Sequence, residues 1–255
     1  MSPNLKTTFL PLVSVYKSAS HSSEIVTQLL SGQEFELIDQ ENGWNKIRTL
    51  LDDYEGWILK SQVDSIDPPS ENFQRKILCN PVVEFFFNQS VYFFTMGSEF
   101  LADEKTFLFS GNQMPLPEKF ILRIAELRSP EMLTQTALQY LQAPYLWGGR
   151  SIFGIDCSGL TQMIFRQCGF SLMRDAYQQA TQGILVEFAE SARTGDLAFF
   201  ENEEKKISHV GMLLSKDSII HASGKVRIDK FDHFGIYNKA EGKYSHRLRF
   251  IRRIF

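Results

Sequence analysis

No apolar run in the 255 residues approaches the roughly 20 needed to cross a bilayer as a helix. Residues 1–12 carry one lysine and a short apolar stretch broken by Pro11. A basic start, a sustained apolar stretch and a small-residue cleavage site are all missing there. The chain is therefore expected in the cytoplasm, with no membrane among its partners. Cysteine is scarce: Cys79, Cys157 and Cys168 are the only three. An odd count with no CxxC spacing provides no disulfide framework, suits a reducing compartment and argues against a zinc site. An excess of one charge is absent as well. With 27 basic and 30 acidic residues the formal net charge is −3, so no global field favours nucleic acid or an anionic surface.

What remains is an ordinary globular composition, 43% hydrophobic and 22% charged, long enough for one large domain or two to three small ones. Residues 9–66 read as short strands, at 9–16, 25–30, 34–39, 44–48 and 55–59. They are separated by Ser31-Gly32 and Glu41-Asn42-Gly43 and end near Pro68-Pro69. That spacing predicts a small barrel. Gly43-Trp44-Asn45-Lys46-Ile47-Arg48 followed by Tyr54-Glu55-Gly56-Trp57-Ile58 resembles bacterial Src-homology-3-like barrels. Much of the phenylalanine (22 residues in all) lies between 73 and 120, where strand patterns recur at 82–87, 91–95, 99–102 and 106–109. A second barrel with a phenylalanine core is expected there, although the Gly-Trp pairs are missing.

Ser129-Pro130-Glu131 is a helix start, with an N-cap serine, a first-position proline and an acid in the first turn. The helix is expected to run to about Gln142 and stop before Pro144. Three domains follow from these breaks: residues 1–68, residues 69–124 and residues 125–255. In the last, Tyr145-Leu146-Trp147-Gly148-Gly149 bends into Gly154-Ile155-Asp156-Cys157-Ser158-Gly159-Leu160. Leu160, Met163 and Ile164 then recur at helical spacing up to Gly169. Cys157 is thus placed at a helix N-terminus, where unpaired N–H groups and the dipole are expected to lower its thiol pKa toward neutrality. It is the candidate nucleophile. Strands are expected at 195–200, 207–214, 218–222 and 226–228, with an alternating basic strand at the C-terminus. Helices first and strands after make the class α+β.

A thiol nucleophile needs a base, and the base needs a partner that orients it. His209 and His221 are twelve residues apart, at the ends of two adjacent predicted strands, where their imidazoles can meet. Taken with Gly195-Asp196-Leu197, Ser208-His209-Val210-Gly211 and Ile220-His221-Ala222-Ser223, the region 130–255 resembles NlpC-type cysteine peptidases. The resemblance implies a papain-like core and cleavage of peptidoglycan stem peptides, usually after γ-D-glutamate. It assigns Cys157 as nucleophile, His209 as general base and acid, and His221 as the orienting residue. It adds the Cys157 N–H and the Tyr145 hydroxyl as oxyanion donors.

With a barrel of the Src-homology-3 type in front, Arg174-Asp175-Ala176-Tyr177-Gln178-Gln179 resembles the dipeptidyl-peptidase VI subgroup. There the acid matching Asp175 binds the free amine of an N-terminal L-alanine. Asp156 and Ser158 would line the same pocket, and Glu24 and Tyr54 of the first barrel match its closing acid and tyrosine, with Glu55 the alternative to Glu24. No metal or organic cofactor is implied. Other readings are a wall-binding protein with an idle peptidase domain, an endopeptidase acting on intact murein, and an acyltransferase on the same core. The intact Cys157, His209 and His221 weigh against the first, and no apolar channel supports the last.

Overall fold

The computed structural model describes residues 4–65, 73–124 and 129–255. The Pro68-Pro69 break and the start of the last domain near residue 125 lie outside the described residues. By their contacts the residues form two units: 1–126 with 147–152, and 127–146 with 153–255.

In the first unit, seven strands make one antiparallel sheet. They are β1 (Leu5–Thr7), β2 (Leu12–Tyr16), β3 (Ile25–Leu30), β4 (Phe35–Glu41), β5 (Trp44–Thr49), β6 (Glu55–Leu59) and β7 (Asp64–Ser65). Their order is β3-β2-β6-β5-β4-β1-β7. Period-two alternation turns Val13, Val15, Leu29, Phe35, Ile47 and Ile58 into one core. This is the expected Src-homology-3-like barrel, and its hairpin residues Asn42-Gly43 both take positive φ (46° and 84°).

Residues 74–123 close around a second core. A sheet of β8 (Gln74–Leu78), β11 (Glu99–Ala102), β12 (Thr106–Phe109), β13 (Asn112–Pro115) and β14 (Leu122–Arg123) faces a hairpin of β9 (Val82–Phe87) and β10 (Ser90–Thr95). Phe85, Phe94, Phe100, Phe107, Phe109 and Phe120 fill the space between them. Most of their ring pairs meet edge to face, for example Phe94 on Phe100 at 5.0 Å. Phe86 and Phe93 on the hairpin are exposed, whereas these six phenylalanines are core, as expected. Burying each contributes about 1.5–3 kcal/mol, which lets so small a module hold a shape. This module joins the first barrel through the Glu99 N–H to the Ser31 carbonyl (2.8 Å) and through Arg75, which bridges Glu34 and Glu99. The two-residue strand β15 (Arg150–Ser151) also belongs to this unit. Just before it, Gly148 takes φ +76°, and a Cβ there would lie 2.5 Å from the Ile25 carbonyl oxygen. Only glycine fits that bend.

The second unit begins with α1 (Pro130–Leu138), capped by Ser129 Oγ accepting from the Met132 N–H at 3.2 Å. The helix stops at Leu138, short of the expected Gln142. Pro144 disfavours helical backbone before it, and the chain turns to pair Gln142 and Ala143 with Val226. After the two-residue strand β16 (Gly154–Ile155) comes α2 (Cys157–Gln167), buried on every face except at Arg166. The short α3 (Ala176–Gln179) follows.

The sheet comprises β17 (Ile184–Val186), β18 (Leu197–Glu201), β19 (Ile207–Ser215), β20 (Ser218–Ser223), β21 (Lys225–Asp232), β22 (Gly235–Asn238) and β23 (Lys243–Arg253), in the order β17-β23-β18-β19-β20-β21-β22. A further β22–β23 pairing closes six of them into a barrel. The strand expected to end at 228 runs on to Asp232. Within it only Val226 and Phe231 are buried and Ile228 is exposed, so no period-two alternation marks the extension in the sequence. Helix α2 lies against β19, so the nucleophile's helix and the histidine strand are direct neighbours. Among the described residues no helix is long and apolar enough to cross a membrane.

Candidate active site

Cys157 is the first residue of α2, and its N-cap is Asp156, whose carboxylate accepts from the Gly159 N–H at 2.6 Å. The sulfur is buried and is held by the backbone N–H groups of Ser158 and Val210. Val210 adjoins His209, so this contact sets the thiol beside the base. The thiol's acidity departs from expectation. Burial, then the charge of Asp156, pushes Cys157 up to about 12, although both N–H groups and Arg174 pull the other way. A helix N-terminus lowers a thiol pKa when the thiol is solvated and its cap is neutral. Here the cap is an anion and the site is dry, so desolvation of the thiolate prevails.

The base is built by β-sheet register. Gly211 of β19 faces His221 of β20, which places His209, two residues back, on the same side of the sheet as His221. A Cβ on Gly211 would come 2.9 Å from the His221 Cβ, so the glycine makes room for the pair. His209 Nε2 and His221 Nδ1 are 2.9 Å apart. Behind them stands a residue that the sequence reading missed. Asp229 Oδ2 lies 3.0 Å from His221 Nε2, and Arg227 Nε is 2.7 Å from the same oxygen.

The direction of the hydrogen bonds can be assigned from this end. Burial raises the Asp229 pKa, but the bonds from His221 and Arg227 prevail and hold it below the usual range, so the carboxylate only accepts. His221 must donate from Nε2, and its Nδ1 is left to accept. His209 must then donate from Nε2, which leaves its Nδ1 lone pair for the Cys157 proton. Burial, then the neighbouring His246 and His221, hold the His209 pKa well below its ordinary 6.5, so the ring is neutral, with a lone pair free to accept, at neutral pH. His246 of β23 stacks on His209 with ring centroids 4.1 Å apart.

Tyr145 is half-buried just upstream. Burial first, then the charges of Cys157 and Asp156, raise its pKa, so the phenol keeps its proton and can donate to an oxyanion together with the Cys157 N–H. Asp156 and Ser158 are buried and have an internal partner, Arg174. Arg174 binds both Asp156 oxygens (3.0 and 2.6 Å) and the Ser158 hydroxyl (3.0 Å). Gln179, also missed in the sequence reading, ties α3 to α2 through the Ser158 carbonyl (3.0 Å) and Thr161 Oγ1 (2.7 Å). Asp175 caps α3, and its carboxylate bonds the exposed Tyr177 hydroxyl.

Arg174→Ala would strand the Asp156 charge in a site that is 5% exposed. Losing one partner of a buried pair costs about 3–5 kcal/mol. Thermal or urea denaturation should therefore show a large loss of stability, whereas Asp175→Asn on the same segment should cost far less.

Of the barrel candidates, Glu24 is in the first unit. Its Oε1 accepts from Trp147 Nε1–H at 2.8 Å and its Oε2 from Lys17 Nζ at 3.3 Å. Tyr54, half-buried, ends the β5–β6 turn, and its N–H donates to Thr49 Oγ1 at 3.0 Å. The alternative acid, Glu55, is engaged by Lys46 and Arg48, each at 2.8 Å.

Residues 142–245, which contain Cys157, His209 and His221, match the NlpC/P60 family. They are an NlpC/P60 domain. Residues 15–63 match the bacterial dipeptidyl-peptidase Sh3 domain. The chain is similar to the gamma-D-glutamyl-L-lysine dipeptidyl-peptidase of Bacillus cereus, 27% identical over 80% of this chain and 68% of that one. It is also similar to the dipeptidyl-peptidase 6 of Lysinibacillus sphaericus, 26% identical over 87% and 89%. A crystal structure of an NlpC/P60 family protein from Bacillus cereus has the same fold, with a TM-score of 0.84 over 98% of this chain and 99% of that one at 18% identity. The NlpC/P60 domain makes this chain a cysteine peptidase with a papain-like fold behind a barrel of the Src-homology-3 type.

Proposed function

We propose that this peptidase hydrolyses the γ-D-glutamyl–diamino acid bond of peptidoglycan stem peptides whose N-terminal L-alanine is free, releasing L-Ala-D-Glu during recycling of wall peptides in the cytoplasm. The observation that carries the chemistry is the hydrogen-bonded line from Asp229 through His221 to His209, whose next residue, Val210, bonds the Cys157 sulfur through its N–H. The likeness to the two named dipeptidyl-peptidases supports the substrate.

In the acylation step the Cys157 sulfur attacks the γ-carbonyl while His209 Nδ1 takes the thiol proton. The Cys157 N–H and the Tyr145 hydroxyl receive the oxyanion. His209 returns the proton to the departing diamino acid nitrogen, and water then hydrolyses the thioester by the same exchange. Asp175, Asp156 and Ser158 are the groups in this domain assigned to the alanine end. Among the barrel acids Glu24 is favoured over Glu55, whose carboxylate already has two cationic partners.

In intact peptidoglycan the alanine amine is acylated by the muramyl lactyl group, so a carboxylate that receives an ammonium selects turnover peptides. An acylated substrate forfeits the charge-assisted hydrogen bond of that ammonium, worth about 1.5–3 kcal/mol, or roughly one to two decades in rate. With the full-length protein, N-acetyl-L-Ala-γ-D-Glu-diaminopimelate should be cleaved slower by about that factor than the free tripeptide. Glu24→Gln and Asp175→Asn should narrow the gap by slowing the free substrate. Equal rates on both peptides would point to an endopeptidase acting on intact murein.

A further inference from the structure

One group in the second unit has no part in the proton path. His246 of β23 lies face to face with His209 and close to His221, so β19, β20 and, from beyond β18, β23 each bring an imidazole to one point. One ring nitrogen from each of His209, His221 and His246 can be chosen so that all three lie within 4.8 Å of one another. We propose that these three histidines form a binding site for a divalent transition metal of the Zn2+ type, and that occupancy reversibly switches the peptidase off.

The chemistry follows from atoms already placed. Zinc takes imidazole nitrogens at about 2.0–2.1 Å in a tetrahedron, which sets neighbouring nitrogens roughly 3.3 Å apart. His209 Nε2 and His221 Nδ1 are already 2.9 Å apart and share one proton. The ion replaces that hydrogen bond: the N–H bond of His209 Nε2 breaks, the proton passes to the ring's other nitrogen, Nδ1, and the two freed lone pairs turn to the metal. His246 Nδ1 is engaged with Ser245 Oγ at 2.9 Å, which leaves its Nε2 as the third ligand. Water completes the tetrahedron. His221 also has the support that metal-binding histidines use, a carboxylate on the opposite ring nitrogen, here Asp229 at 3.0 Å. Binding ties up the relay between base and orienting residue, so a bound ion and turnover exclude each other. The site needs no substrate, so its existence does not depend on which peptide is cleaved.

The test separates this site from a direct reaction of zinc with the nucleophile. Full-length Cys157→Ala protein, titrated with ZnCl2 in a calorimeter, should bind one Zn2+ per chain. Adding His246→Phe keeps a ring stacked on His209 but removes the ligand, and affinity should fall about tenfold or more. In the active protein, whatever its basal rate, His246→Phe alone should remove the fractional inhibition by zinc. Should His246→Phe fail to fold, the visible absorption of Co2+ added to the Cys157→Ala protein reports tetrahedral nitrogen ligation without altering the histidines. Zinc binding that disappears with Cys157→Ala, that is unchanged by His246→Phe, or a Co2+ spectrum of an octahedral all-oxygen site would overturn the proposal.

Discussion

Cys157→Ala should abolish turnover while leaving the thermal midpoint almost unchanged. Losing the nucleophile of a nucleophile–base unit costs on the order of 10^6 in kcat. The backbone N–H groups that hold the sulfur remain, and the Cβ that begins α2 is kept. Cys168 is fully buried in the core and Cys79 is half-buried in the second barrel, so alanine at either should leave the enzyme active. The same residue yields a pH prediction whose sign is set by its surroundings. A thiol pushed up to about 12 is protonated throughout the neutral range. With a chelator present, alkylation of Cys157 by iodoacetamide should rise steadily through pH 9 and beyond, with no plateau near neutrality. A preformed thiolate–imidazolium pair would instead react at a constant rate from mildly acidic pH upward. Peptide hydrolysis behaves differently because His209 is neutral well below its ordinary 6.5. The peptidase should therefore stay active into mildly acidic solution, and its acid limb should disappear in His209 variants. A neutral-pH alkylation plateau would show that substrate-free enzyme already holds the ion pair.

His209→Ala should remove nearly as much activity as losing the nucleophile, because without a base the thiol keeps its proton. The effect should decline along the relay. His221→Ala removes the acceptor that fixes the His209 tautomer, and either ring nitrogen of His209 can then carry the proton. Asp229→Ala removes the acceptor behind His221 and should cost about 10- to 100-fold, as the loss of a carboxylate behind a functional histidine does in metal sites. Each loss should appear in kcat more than in KM, since none of the three groups contributes to binding the ground state. The double variant His221→Ala/Asp229→Ala should be no worse than His221→Ala alone, because Asp229 acts only through His221. Additive losses would mean that Asp229 acts on the substrate or on His209 by another route.

The barrels and the histidine pair show how much was legible. Alternation in 9–59 and the Gly-Trp pairs predict the first barrel because a half-buried strand must place apolar residues every second position. The phenylalanines of 82–109 announce a core for the same reason. Cys157 and its neighbours were readable because a catalytic cysteine at a helix start needs small residues and a cap within a few positions, all local in sequence. The His209–His221 pair was readable because a tight hairpin converts a spacing of twelve into a strand register.

Asp229, His246, Arg174 and Gln179 were not legible as site residues. Each reaches the site through pairing or packing that no short window contains. Asp229 gets there by lying on the next strand over from His221, and His246 by closure of the barrel through β22 and β23. The acidity of Cys157 was beyond the sequence for a related reason. Composition and position make it a residue at a helix N-terminus, and by that fact alone its pKa should fall. Only the folded chain sets how much water surrounds the sulfur and which way the Asp156 charge acts on it. The sequence by itself therefore determined the fold class and placed Cys157 at a helix start and His209 and His221 on paired strands, because those depend on local pattern and strand spacing; their proposed roles came from the resemblance to NlpC-type peptidases. Only the tertiary structure decided which way the acidity of Cys157 and of His209 shifts, because desolvation and charge are properties of what surrounds an atom in space.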